Sequence, residues 1–230
     1  MIRAARSLAF LAVLGAASRA GGQTRDVDPR VAALLDSVSE ARLVQILRKL
    51  ASFETRNTLS TPDSAARGIG AARQWILEEI RRSSPRLQVS FDAYQVLKQG
   101  ERITRDVELR NVMAVLPGRS PRRVYVSGHY DSVARRTEPG AAPPRGAGGG
   151  FDWSAGDNPA PGVNDDGSGT ALVMELARVF GESGLAFDAT IVFIAFAGEE
   201  QGLVGAKLHA QRAAARVYSE IVVDSGRAVP

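Results

Sequence analysis

The run Thr190–Ala197, Thr-Ile-Val-Phe-Ile-Ala-Phe-Ala, has no charged side chain and no polar one after its first residue. A strand with one face in water alternates apolar and polar residues. An unbroken apolar run of this length is instead the pattern of a strand covered on both faces. Such strands lie inside sheets that carry helices on both sides, so this segment points to a layered α/β fold. It ends in Gly198-Glu199-Glu200, which puts two carboxylates at a sheet edge, where α/β folds place their sites.

The rest of the chain fits that frame. Pro29 opens a helix with Asp28 as its N-cap, and the apolar stripe from Val31 to Leu50 predicts helix over 29–50. After a loop holding Thr55-Arg56-Asn57, Pro62-Asp63 starts a second helix with Ile69, Ala72, Ile76 and Ile80 on one face. Strands are predicted over 87–93, 111–116 and 122–127, the last running into Gly128-His129-Tyr130-Asp131. A Gly-, Pro-, Ala- and Asp-rich loop over about 133–163 follows, long enough to be functional in its own right. Helices over 166–183 and about 202–217, and a strand over 220–224, complete the pattern. Strands alternating with helices give a sheet with a parallel portion, in one domain over 29–230 without internal repeats.

Residues 1–20 read as an export signal. Arg3 and Arg6 precede an apolar stretch from Leu8 to Ala17, and Ser18-Arg19-Ala20 offers small residues for cleavage. The stretch is too short to span a bilayer, and residues 21–28 read as a linker. The expectation is a periplasmic or extracellular protein without stable membrane association once the signal is removed. The formal charge of +4 includes three arginines of that signal, so the remainder is nearly neutral. This gives no reason to invoke nucleic acid as a partner. The absence of cysteine excludes disulfides, thiolate nucleophiles and Cys-ligated metals. A metal would need His and carboxylates, and the only histidines are His129 and His209.

Three clusters sit where strands or loops meet helices: Gly128-His129-Tyr130-Asp131-Ser132, Pro161-Gly162-Val163-Asn164-Asp165-Asp166-Gly167-Ser168-Gly169, and Ala197-Gly198-Glu199-Glu200-Gln201-Gly202. Taken singly, each has a plain structural explanation: a strand-end histidine, a turn with Asp166 as helix cap, and a solvated Glu-Glu loop. Together, converging at one sheet edge, they match zinc hydrolysis. Zinc takes imidazole nitrogen and carboxylate oxygen, a carboxylate near the histidine can orient its ring, and an unligated carboxylate can accept a proton from water.

These three blocks, the third continuing as Leu203-Val204-Gly205, resemble the signatures of the secreted co-catalytic di-zinc aminopeptidases, zinc exopeptidases of the bacterial leucyl aminopeptidase type. The resemblance is strongest over 108–210 and weaker over 30–107. It implies a three-layer α/β/α fold with a mixed, partly parallel sheet, and peptide or protein N-termini as substrates. It also implies two zinc ions. His129 would bind the first, Asp165 would bridge both and Glu200 would bind the second. Asp131 would orient His129, and Glu199 would be the general base toward the attacking water.

The family also has an Asp at the end of the next strand and a downstream His. Asp224, in Ile221-Val222-Val223-Asp224, is the candidate for the first, although its surroundings differ from the family pattern. His209 reads as a surface helix residue and no substitute for the second. The expectation is therefore a family domain incomplete at its C-terminus, with weak metal binding or activity as written. Two alternatives follow: a non-catalytic module of the same fold, and a single-zinc enzyme resembling glutaminyl cyclases. The paired Glu199-Glu200 and the Asn164-Asp165-Asp166 turn fit the two-metal peptidases better.

Overall fold

A computed structural model describes residues 27–135, 150–153 and 156–225, with side chains as far as 215. The expected signal, most of the linker and part of the long loop lie outside the described residues.

The predicted first helix is two: α1 (Pro29–Asp36) and α2 (Glu40–Ala51). Asp28 caps α1 by accepting the Arg30 N–H at 2.8 Å. The apolar stripe hides the break, which is local serine chemistry. Ser37 Oγ turns back to the Ala33 carbonyl, and Ser39 Oγ caps α2 at the Arg42 N–H. The next helix, α3 (Gly68–Ser83), starts later than Pro62-Asp63. Ser64 Oγ accepts the Ala66 and Arg67 amides in a turn, and Gly68, at φ +76°, stops any helix from running through it.

Four strands form one sheet: β1 (Gln88–Val96), β2 (Val107–Leu116), β3 (Ser120–His129) and β4 (Ala189–Phe196), in the order β1-β2-β4-β3. β4 is antiparallel to β2 and parallel to β3, so the sheet is mixed and the apolar run is interior. The Val192, Phe193, Ile194 and Ala195 side chains are all fully buried. Side chains alternate across a strand. Accordingly Phe193 packs on Phe180 of α4 (Gly169–Glu182), while Phe196 packs on His209 of α5 (Val204–Ser225). Helices thus cover both faces, giving a three-layer α/β/α arrangement. β3 pairs with β4 alone among the described residues, and Pro121–Tyr125 on it are exposed.

Two expectations are corrected. Residues 220–224 form no strand: they belong to α5, whose helical backbone continues to Ser225. Asp224 therefore does not stand at a strand end, and its side chain lies outside the described residues. His209 is no surface residue either. Its Nδ1 lies 2.8 Å from Asp92 Oδ2, and its side chain is only 14% exposed. Asp92 also accepts hydrogen bonds from Arg212, Tyr94 and Asn111, and so fastens α5 to β1 and β2. No helix among the described residues is long and apolar enough to cross a membrane.

Burial opposes ionisation of Asp92, but hydrogen bonds from His209, Tyr94 and Asn111 outweigh it and hold its carboxyl below the usual range. The stability it contributes is therefore present above its unfolded value and is lost as pH falls through the lower folded one. Asp92→Ala should cost about 3 kcal/mol, because it strands His209 and Arg212. It should also flatten the acid limb of the stability curve. Urea denaturation across pH 3–7 measures both.

Candidate metal centre

The site begins with strand register. His129 of β3 pairs with Phe196 of β4, so the segments after both strands emerge side by side. The Tyr130 N–H extends the pairing to the Phe196 carbonyl at 2.9 Å. Beyond β4, Gly198 adopts φ +68°, in the left-handed region that suits glycine, and turns the chain so that Glu199 and Glu200 follow at the sheet edge.

Asp131 links the two strand ends. Its carboxylate is fully buried and accepts the backbone N–H of Glu199 at 3.1 Å and of Glu200 at 3.2 Å. Thr58 Oγ1 donates to it at 3.4 Å. On its other side, His129 Nδ1 lies 3.2 Å from the Asp131 carbonyl oxygen and 3.6 Å from Oδ1. The opposite ring atom, Nε2, faces Asp165 Oδ1 at 3.2 Å and Glu199 Oε2 at 3.7 Å.

The Asp165 turn lies just before α4. Asp166 in this turn accepts the Gly169 N–H with Oδ1 and the His129 N–H with Oδ2, both at 2.9 Å. The N-cap of α4 is Ser168 rather than Asp166, and α4 starts later than predicted, but the Asp166 carboxylate takes the first amide of the helix and grips β3 as well. The approach is close: a Cβ on Gly128 would lie 2.8 Å from Asp166 Oδ2 and 2.9 Å from the Gly169 carbonyl carbon. Thr170 Oγ1 donates to the His129 carbonyl at 2.8 Å and completes the join. Capping chemistry marks Asp166 in the sequence, but nothing there marks its grip on β3 or the role of Thr170.

His129, Asp131, Asp165, Glu199 and Glu200 thus meet at one sheet edge. Asp165 is largely exposed, and with Glu200 it lines a cleft of about 280 Å³ bordered by Arg135 and Phe151. Among the described residues no three His, Asp or Glu side chains already stand in ligating positions. The charge balance nevertheless fits a cation. Burial and the charges of Asp131 and Asp165 push Glu200 up to about 7. For His129, burial favours the neutral ring, but the Asp131 hydrogen bond and nearby carboxylates win and raise it to about 9. One carboxyl that holds its proton near neutral pH, crowded by other carboxylates around an imidazole nitrogen, belongs to a donor set that zinc would satisfy.

Comparison with known proteins agrees. The profile described as Peptidase family M28 matches residues 111–226. A probable zinc metalloprotease of Pyricularia oryzae is 46% identical over 190 residues, covering 80% of this chain and 34% of the relative. The chain belongs to peptidase family M28. It spans about a third of the length of such relatives. Among solved structures, the Legionella pneumophila LapA aminopeptidase superimposes with a TM-score of 0.56 at 20% identity, covering 82% of this chain and 42% of that one. A Porphyromonas gingivalis glutaminyl cyclase reaches 0.52 at 17% identity, covering 69% and 47%. At such identities these two likenesses speak to the fold alone.

Asp166→Ala should leave the Gly169 and His129 N–H groups without their acceptor. The expected loss is about 2 kcal/mol of stability. Thermal unfolding of the metal-free variant measures it, and an unchanged transition would show that Asp166 does not join β3 to α4.

Proposed function

We propose that this chain takes part in zinc-dependent hydrolysis of N-terminal peptide bonds at the edge formed by β3 and β4. The observation that carries this reading is the convergence of His129 Nε2, Asp165 and Glu199, with Asp131 binding the two strand ends together. His129, Asp165 and Glu200 would hold the metal, two ions sharing Asp165 in the full arrangement. Zinc supplies Lewis acidity and a water that ionises near neutral pH.

The chain's own groups supply the rest. Glu199 lies beside the His129 ring, and it would accept a proton from the attacking water and return it to the leaving amine. Asp131 would keep the His129 ring turned so that Nε2 faces Asp165 and Glu199. Its acceptance of two backbone N–H groups also fixes where the Glu199 and Glu200 side chains start. M28 membership and the probable zinc metalloprotease relatives support peptide substrates and zinc. Attack at the N-terminus is proposed from the resemblance of the three sequence blocks to the di-zinc aminopeptidases. The charge and signal pattern of residues 1–20 favours export.

The test is zinc binding by calorimetry together with release of p-nitroaniline from leucine p-nitroanilide. Glu199→Gln should keep zinc and lose about 10²–10⁴-fold in kcat. His129→Ala should lose zinc. Zinc binding without turnover in the wild type would assign the chain as a non-catalytic module of the fold. Cyclisation of an N-terminal Gln peptide, without leucine release, would move it to the cyclase reaction. Failure to bind zinc would refute the metal-centre reading.

A further inference from the structure

Arg56 lies in the loop after α2 and is completely buried. Its guanidinium reaches four backbone carbonyls: Nε donates to Tyr130 at 2.6 Å, Nη1 to Pro161 at 2.6 Å and Leu50 at 3.2 Å, and Nη2 to Gly162 at 2.8 Å. Asp131 and Asp166 act on it as nearby charges. Burial lowers it to about 10, so it stays cationic at neutral pH.

Where those carbonyls lie gives the contact its meaning. Tyr130 sits between His129 and Asp131. Gly162 opens the turn that carries Asp165 and Asp166, and its oxygen also accepts the Gly167 N–H at 3.0 Å. Arg56 thus closes the base of that turn while holding the end of β3. The same segments already share neutral links. Ser132 Oγ accepts the Arg56 N–H at 3.0 Å and donates to the Ala160 carbonyl at 2.7 Å. Burying a charge costs several kcal/mol, so a fork of charged donors is an expensive way to join loops that neutral groups already join. What the guanidinium adds is a planar set of directions reaching three segments at once, which an ammonium cannot reproduce.

We infer that Arg56 is a positioning residue of the metal centre: its fork sets the spacing between the His129 strand end and the Asp165 turn. The inference rests on the zinc reading above. Arg56 touches neither metal nor substrate in this role. It acts through the backbone on either side of two ligands, much as partners behind metal ligands tune affinity in other sites.

The test compares wild type with Arg56→Met, Arg56→Lys and Arg56→Ala. Zinc affinity is read by competition with a chelator dye, ligand geometry by the visible spectrum of the cobalt-substituted protein, and turn closure by amide exchange at Gly167 in the metal-free protein. Arg56→Met should weaken zinc about 10–100-fold, change the cobalt spectrum and speed exchange at Gly167. Arg56→Lys should restore the charge but little of the affinity. Guanidinium ion, below denaturing concentration, should recover zinc affinity in Arg56→Ala. A folded Arg56→Met with wild-type zinc affinity and cobalt spectrum overturns the inference. If that variant does not fold, a folded Arg56→Lys with wild-type affinity overturns it, and a weakened one supports it. A wild type that binds no zinc refutes the metal reading itself, and this inference with it; altered variants beside a zinc-binding wild type concern Arg56 alone.

Discussion

A single buried carboxylate holds the site together. Asp131 accepts the Glu199 and Glu200 amides and flanks the His129 ring, so one group joins the ends of two parallel strands and turns a side chain on one toward side chains on the other. A fully buried anion is tolerable only when donors surround it, and charge-assisted bonds to two backbone amides and Thr58 meet that need. The arrangement requires one register. Pairing of His129 with Phe196 brings the two ends level, and a slip of one residue would turn every side chain of the slipped strand to the other face.

How legible this was in the sequence depends on the range of the forces involved. β4 announced itself because burial on both faces leaves a compositional mark, and its interior place in the sheet follows from that mark. The three chemical clusters were legible because each is contiguous and lies where an element ends or begins. The break between α1 and α2 was not, since the apolar stripe continues across it while Ser37 and Ser39 end one helix and start another. The start of α3 was misplaced for a similar reason, because the decisive features were one serine turn and one positive φ.

What the sequence hides most completely is the choice of distant polar partners. His209 looked like a helix surface residue, and only the fold shows that Asp92, more than a hundred residues earlier, takes it up. The strand expected over 220–224 failed because a β-branched run, Ile221-Val222-Val223, carries strand propensity but not strand context. Arg56 belongs to the same class. Its acceptors are backbone carbonyls, which no pattern of side chains reveals, and those carbonyls lie 6 to 106 residues away.

These features together give the site a defined electrostatic character. Asp131, Asp165, Asp166, Glu199 and Glu200 gather at one edge, with His129 among them and Arg56 behind. Two of the carboxylates are committed to the scaffold: Asp131 to the Glu199 and Glu200 amides, Asp166 to the amides of His129 and Gly169. Asp165, Glu199 and Glu200 keep side chains turned toward the ring or the cleft. Glu200 answers that crowding by holding its proton to about 7. A polypeptide that forces carboxylates together in this way spends folding free energy on their repulsion, and a divalent cation is the ligand that returns it. The scaffold's links, Asp131 between strands, Asp166 between strand and helix and Arg56 between loops, hold the repelling carboxylates together at this edge.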